Sequence, residues 1–233
     1  EIAQCLVGSE MCIRDRDQLL NYQVNLNQDI ELKVKRINQI AQGIKECNDK
    51  IKRVEVSGEQ ANDYRDTRNL LLDELGSYMD FDVAEEIDGT MSVYVEGQYL
   101  VSTDRAYSLA TERISDTSNM LKVVWADNGA GDFLSPDSLS YSMESNTDVG
   151  SLKGLLIARG NATTNYTDIP VRPTQSDFAT QAEYQQALNQ FNAALDVYNQ
   201  KVDPSIMMTV QAQFDSLVHG IVTKINDTLC PNK

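Results

Sequence analysis

Two cysteines, Cys5 and Cys12, stand near the start of the chain beside an apolar patch. Thiolates so placed could close a disulfide or supply half of a zinc site, but four ligands are needed and no second Cys/His pair lies nearby. The single histidine, His219, could serve as a general base only beside a nucleophile and a third group to orient it. Nothing local supplies those groups, so a packed or helix-face histidine is expected. The run Asp63, Arg65, Asp66, Arg68, Asp73 and Glu74 holds carboxylates enough for acid–base or metal chemistry. Charges of both signs at helical spacing read instead as ion pairs on or between helices. The loop DNGAGD at 127–132 has acids without the spacing or terminal Glu of a calcium-binding EF-hand. Triplets of N-glycosylation form begin at Asn161, Asn165 and Asn226, a short pattern that recurs by chance. With no Gly-rich phosphate loop either, no catalytic, metal or cofactor residue is expected, and the chain reads as a non-enzyme.

The segment CLVGSEMCIRDR, residues 5–16, answers to a different origin. It lacks the basic start, apolar run and small-residue cleavage site of a secretory signal. Back-translated in one frame, it resembles a transposase adapter used in DNA sequencing. Residues 1–16 are therefore set apart as an artefact, with Glu1–Gln4 of unknown origin, and the rest is expected to be an interior piece of a longer protein. Only Cys47 and Cys230 then remain, too few for a disulfide framework.

Composition narrows the partners. The chain is 41% hydrophobic and 24% charged, which is globular. A net charge of −15 over 233 residues repels phosphate backbones and anionic membrane surfaces, so neither nucleic acid nor membrane insertion is expected. No stretch approaches the ~20 apolar residues that span a bilayer.

From Asp17 to about Val56 isoleucine recurs every seventh residue at Ile30, Ile37, Ile44 and Ile51, with a second line through Lys33, Ile40, Cys47 and Val54. That seam predicts one long helix, Val34 sharing the place of Lys33. Ser57 and Gln60 suggest a capping box for a second, antiparallel helix with Ala61, Tyr64, Arg68, Leu71, Leu75 and Tyr78 on one stripe. Residues 17–79 thus form a helical hairpin. From Asp80 the period becomes two, with turn signals at Asp88-Gly89 and Glu96-Gly97, so 80–145 is a β-rich insertion: a small antiparallel meander, then short strands and loops. Helical signals resume over 146–233. Asp148 and Gly160 would bound a short helix, and Thr180 with Glu183 caps a helix striped by Tyr184, Leu188, Phe191, Leu195, Tyr198 and Val202. Asp203-Pro204 would open a last helix with Met207, Val210, Phe214, Leu217, Ile221 and Ile225 on its stripe. The fold class is α+β, mainly α: long antiparallel coiled-coil-like helices in a bundle, the return segment packing on 17–79.

The run INQIAQGIKECNDKIKRVEVSGEQANDYRDTRNLLLDELGSY, residues 37–78, resembles the flagellar hook-associated protein 1 family, the first junction between bacterial hook and filament. DVGSLKGLLIARG and MMTVQAQFDSLVHGIVTKIND resemble later segments of that family in the same order. Matching motif positions are Asn62, Asp63, Arg65, Asp66, Arg68, Gly150, Gly154 and Arg159; Asn69 stands where Asp is common. The resemblance implies a non-catalytic structural protein, exported through the flagellar type III apparatus to an extracellular place on the flagellum. It also implies the hook protein, the second junction protein and neighbouring copies in a ring as partners, and no cofactor. From the residues alone, a secreted or surface helical protein whose β insertion recognises a ligand stays open beside it.

Overall fold

The computed structural model describes residues 2–95, 97–116, 118–126, 131–133 and 150–229. Proline-free from end to end, helix α1 runs unbroken over Ile2–Val56 and so includes the adapter-like residues. Gly58, at φ 82°, turns the chain after α1, and α2 follows at Asn62–Gly76. The expected Ser57–Gln60 capping box does not form. The Ser57 hydroxyl donates to the Val54 carbonyl (2.6 Å), closing α1, and α2 begins behind Ala61 without a side-chain cap. Among the described residues five short strands follow: β1 Asp82–Glu85, β2 Met91–Val95, β3 Gln98–Val101, β4 Leu109–Arg113 and β5 Leu121–Trp125. Then come α3 (Ser151–Arg159), two 3-10 turns, α4 (Gln181–Lys201) and α5 (Ile206–Leu229). The fold is thus mainly α with small antiparallel sheets, as the sequence predicts.

The chain divides into two compact units, Asn27–Leu156 and Glu1–Leu26 with Ile157–Lys233. In the first, α1 and α2 run antiparallel, as paired contacts at Arg36–Glu74, Asn48–Arg68 and Glu55–Arg65 require. The helices approach so closely that a Cβ on Gly43 would lie 2.9 Å from Leu71 Cδ1. Ile30, Ile37, Ile40 and Ile44 are fully buried in a core shared with Leu75, Val93, Leu100, Val123 and Trp125. Each such isoleucine contributes about 1.5–3 kcal/mol relative to an exposed one. Val34 is buried as expected, while Lys33 turns aside, donating to Ser151 Oγ (3.1 Å) with its ammonium 4.9 Å from the Tyr78 ring centroid. The sheets are antiparallel, β1-β2-β3 and β4-β5, with a register break in β2 between Val93 and Tyr94.

In the second unit, Thr180 and Glu183 form the expected capping box at the start of α4, and Gly160, at φ 76°, closes α3. The last helix starts later than Asp203-Pro204 suggested. Those residues lie in a turn, and Ser205 caps instead, its hydroxyl accepting from Met208 N (3.3 Å) and donating to the Ala158 carbonyl (3.2 Å). Asp148 and Cys230 lie outside the described residues. No helix among the described residues is long and apolar enough to cross a membrane.

Candidate functional site

Three asparagines on one long helix organise the first unit. Asn48 Nδ2 donates to the Met91 carbonyl (2.8 Å) while its Oδ1 accepts from Met91 N (3.1 Å). Asn38 makes the same pair with Leu109, both bonds 2.8 Å. Asn27 donates to the Asn119 carbonyl (3.1 Å) and accepts from Leu121 N (2.9 Å). A side-chain amide presents the donor and acceptor of a peptide group, so each asparagine stands in for a neighbouring strand at the start of β2, β4 or β5. Intervals of 11 and 10 residues are close to three helical turns, which sets all three on one face of α1.

Arg68, only 2% exposed, enters the same cluster from α2. Its Nη1 donates to Asn48 Oδ1 (3.0 Å) and to the Gly89 carbonyl (2.8 Å). Burial pulls its pKa below the usual arginine value. Arg65 grips Glu55 (2.9 Å) and Glu85 (2.8 Å), the hydrogen bond to Glu85 doing most to raise its pKa. At the β1–β2 turn, Asp88 accepts from the Thr90 hydroxyl (2.6 Å) and pairs with Lys52 (2.9 Å). These bonds, led by the Thr90 hydroxyl, bring its carboxyl down to about 2. The motif is therefore two-faced: Arg65 and Arg68 point inward and fix the turn, while Asn62, Asp63 and Asp66 are exposed. Glu74 accepts from Nε and Nη2 of Arg36, each at 2.7 Å.

The other motif glycines and arginine separate in the same way. Gly150, at φ 143°, lies against Tyr78, where a Cβ would sit 2.6 Å from the carbonyl carbon. That approach lets Ser151 N and Leu152 N donate to the Ser77 and Tyr78 carbonyls (3.2 and 3.1 Å) at the start of α3. Gly154 faces open space. In the second unit Arg159 is buried, its pKa pulled down to about 10 by burial alone, with Nε donating to the Gly160 carbonyl (3.0 Å). Buried Gln23 donates to the Arg159 and Ala162 carbonyls (2.8 and 3.0 Å) and accepts from Gln211 (3.1 Å). Gln211 in turn accepts from Thr164 N (3.2 Å), and the Thr164 hydroxyl bonds the Met208 carbonyl.

Among the seam residues, Cys47 and Ile51 are buried, and burial pushes the Cys47 thiol up. Val54, Leu71, Leu188, Phe191, Leu195 and Phe214 are half-buried. Leu217 and Ile221 differ from the expected stripe, at 61% and 48% exposed. The buried residues of α5 are instead Met208, Gln211 and Ala212, beside the buried cap Ser205. His219 stacks on Tyr166, centroids 3.9 Å apart and rings 6° from parallel. Asn165, in a glycosylation-like triplet, uses its side chain to cap the 3-10 turn at Tyr166–Asp168. Asp132 of the DNGAGD loop pairs with Lys122 (2.7 Å). Among the described residues no three His, Cys, Asp or Glu side chains gather where a metal could bind.

The geometry is that of a tied scaffold. A family profile described as "Flagellar hook-associated protein FlgK helical domain" matches residues 15–229. No curated protein matches the chain. Among solved structures, the flagellar hook junction protein FlgK from Burkholderia pseudomallei is similar at 23% identity and a TM-score of 0.50, over 62% of this chain. That likeness is one of fold, and this chain spans 25% of that protein. With the family profile covering nearly its whole length, the chain belongs to the flagellar hook-associated protein FlgK helical domain family.

Proposed function

We propose that the chain serves as a non-catalytic structural part of the hook–filament junction of the bacterial flagellum. The family match over residues 15–229 carries this reading. The placement of Arg65 and Arg68 supports it, since both guanidinium groups are spent on holding the β1–β2 turn against α1 and α2. In this reading the protein containing the chain leaves the cell through the flagellar export apparatus. It forms a ring with copies of itself between the hook protein and a second junction protein. Exposed residues of the domain, Asp63 and Asp66 among them, would face those neighbours.

Deleting the gene tests the proposal. Cells lacking it should assemble hooks, fail to retain filaments, and release filament subunits into the medium, and the full-length gene should restore filaments. Normal filaments in the deletion strain would overturn it.

A further inference from the structure

Tyr94 and Tyr99 are direct cross-strand partners in the β2–β3 hairpin. Their ring centroids lie 4.4 Å apart, the planes are tilted by 39°, and the two hydroxyls are 3.1 Å apart, Tyr94 donating. Aromatic pairs commonly stack with an offset or meet edge to face. Here the tilted rings overlap and bring their two hydroxyl oxygens within hydrogen-bond distance of each other. That contact draws the hydroxyl-bearing edges of the two rings together, so the carbons flanking each hydroxyl are within a small ring rotation of bonding. Tyr99 is 44% exposed and borders a cleft of about 420 Å³ that it shares with Gln98 and Tyr107, so small oxidants reach the pair.

We propose that Tyr94 and Tyr99 form an oxidative cross-linking site, closed into a dityrosine by a peroxide and a haem peroxidase or another one-electron oxidant. Each phenol gives up one electron and its hydroxyl proton. The two radicals join through ortho carbons, and the hydrogens on those carbons leave as the rings regain aromaticity and the oxygens their protons. One peroxide takes up the two electrons and two protons and becomes two waters, leaving the protein two hydrogens lighter. The product is a covalent staple across the hairpin. Holding both rings in one geometry replaces a chance encounter with an intramolecular step.

The test treats the full purified chain with hydrogen peroxide and a haem peroxidase at low protein concentration. Monomeric product should gain biphenol fluorescence and lose two hydrogens. The loss should map to the tryptic segment 69–105, with no backbone fragment ions between residues 94 and 99. Yield should fall at least about tenfold in the urea-unfolded chain, where orientation is lost. Tyr94→Phe and Tyr99→Phe should each abolish the link, and circular dichroism reports whether they stay folded. Should either variant unfold, loss of the mapped link on unfolding of the wild-type chain decides the matter. A monomer link mapping elsewhere, links between molecules only, or equal yield from folded and unfolded chain would overturn the proposal.

Discussion

The side-chain amide of Asn48, on helix α1, exchanges two hydrogen bonds with the backbone of Met91, at 2.8 and 3.1 Å. Asn48→Ala would strand the Met91 amide and carbonyl and remove one acceptor from Arg68. A buried group left without a partner costs about 1–3 kcal/mol, so the substitution should destabilise the chain by about 2–3 kcal/mol in urea denaturation. A change below about 0.5 kcal/mol, the range of ordinary surface substitutions, would show that the amide ties nothing.

Gly150 and Gly154 belong to one motif but should respond oppositely to alanine. At Gly150 the added methyl meets the Tyr78 backbone in a conformation that side chains rarely adopt. Strain of that kind costs about 1–3 kcal/mol. Gly154 sits inside α3 with open space around it, so alanine there should stabilise by about 0.5–1 kcal/mol through helix propensity. Thermal melts of the two variants check both signs.

Acid should weaken the β1–β2 turn. Asp88 has a folded pKa of about 2, below its ordinary value, so its contribution is present above about pH 4 and is lost as pH falls toward 2. Its side chain is 38% exposed, and solvent screening limits the effect to about 1 kcal/mol or less. Asp88→Asn should lower the urea midpoint at pH 7 and leave it nearly unchanged at pH 2.

Apolar positions on the two long stripes should not be equivalent. Ile44 is fully buried, and Ile44→Asp would put an unpaired charge in the core, costing more than about 4 kcal/mol. Leu217→Ala removes an exposed side chain and should change stability by about 0.5 kcal/mol or less. Calorimetry of both variants against wild type decides this.

The α1 seam was legible because isoleucine at seven-residue spacing can only be a buried line on a helix. The hairpin turns were legible because Gly89 and Gly97, at φ 75° and 77°, mark where the chain must reverse. The α5 stripe was half legible: spacing reveals an apolar face of a helix but not which part of it a neighbour covers, hence the exposure of Leu217 and Ile221. The asparagine ties were hidden, since a lone Asn on a helix ordinarily reads as solvated. Only the intervals between Asn27, Asn38 and Asn48 carried a signal, and their strand partners lie 43 to 94 residues away along the chain. The roles of Arg68 and Arg159 were hidden as well, because resemblance marked the positions without saying that both side chains are buried.

The proposed function turns on where in the flagellum the chain sits, and that can be seen. Immunogold electron microscopy answers it most directly, on flagella from the bacterium that encodes this chain, with antibody raised against residues 17–229. Gold should be confined to the band where hook meets filament. Label spread along the filament, restricted to the cell body, or absent from flagella would contradict it.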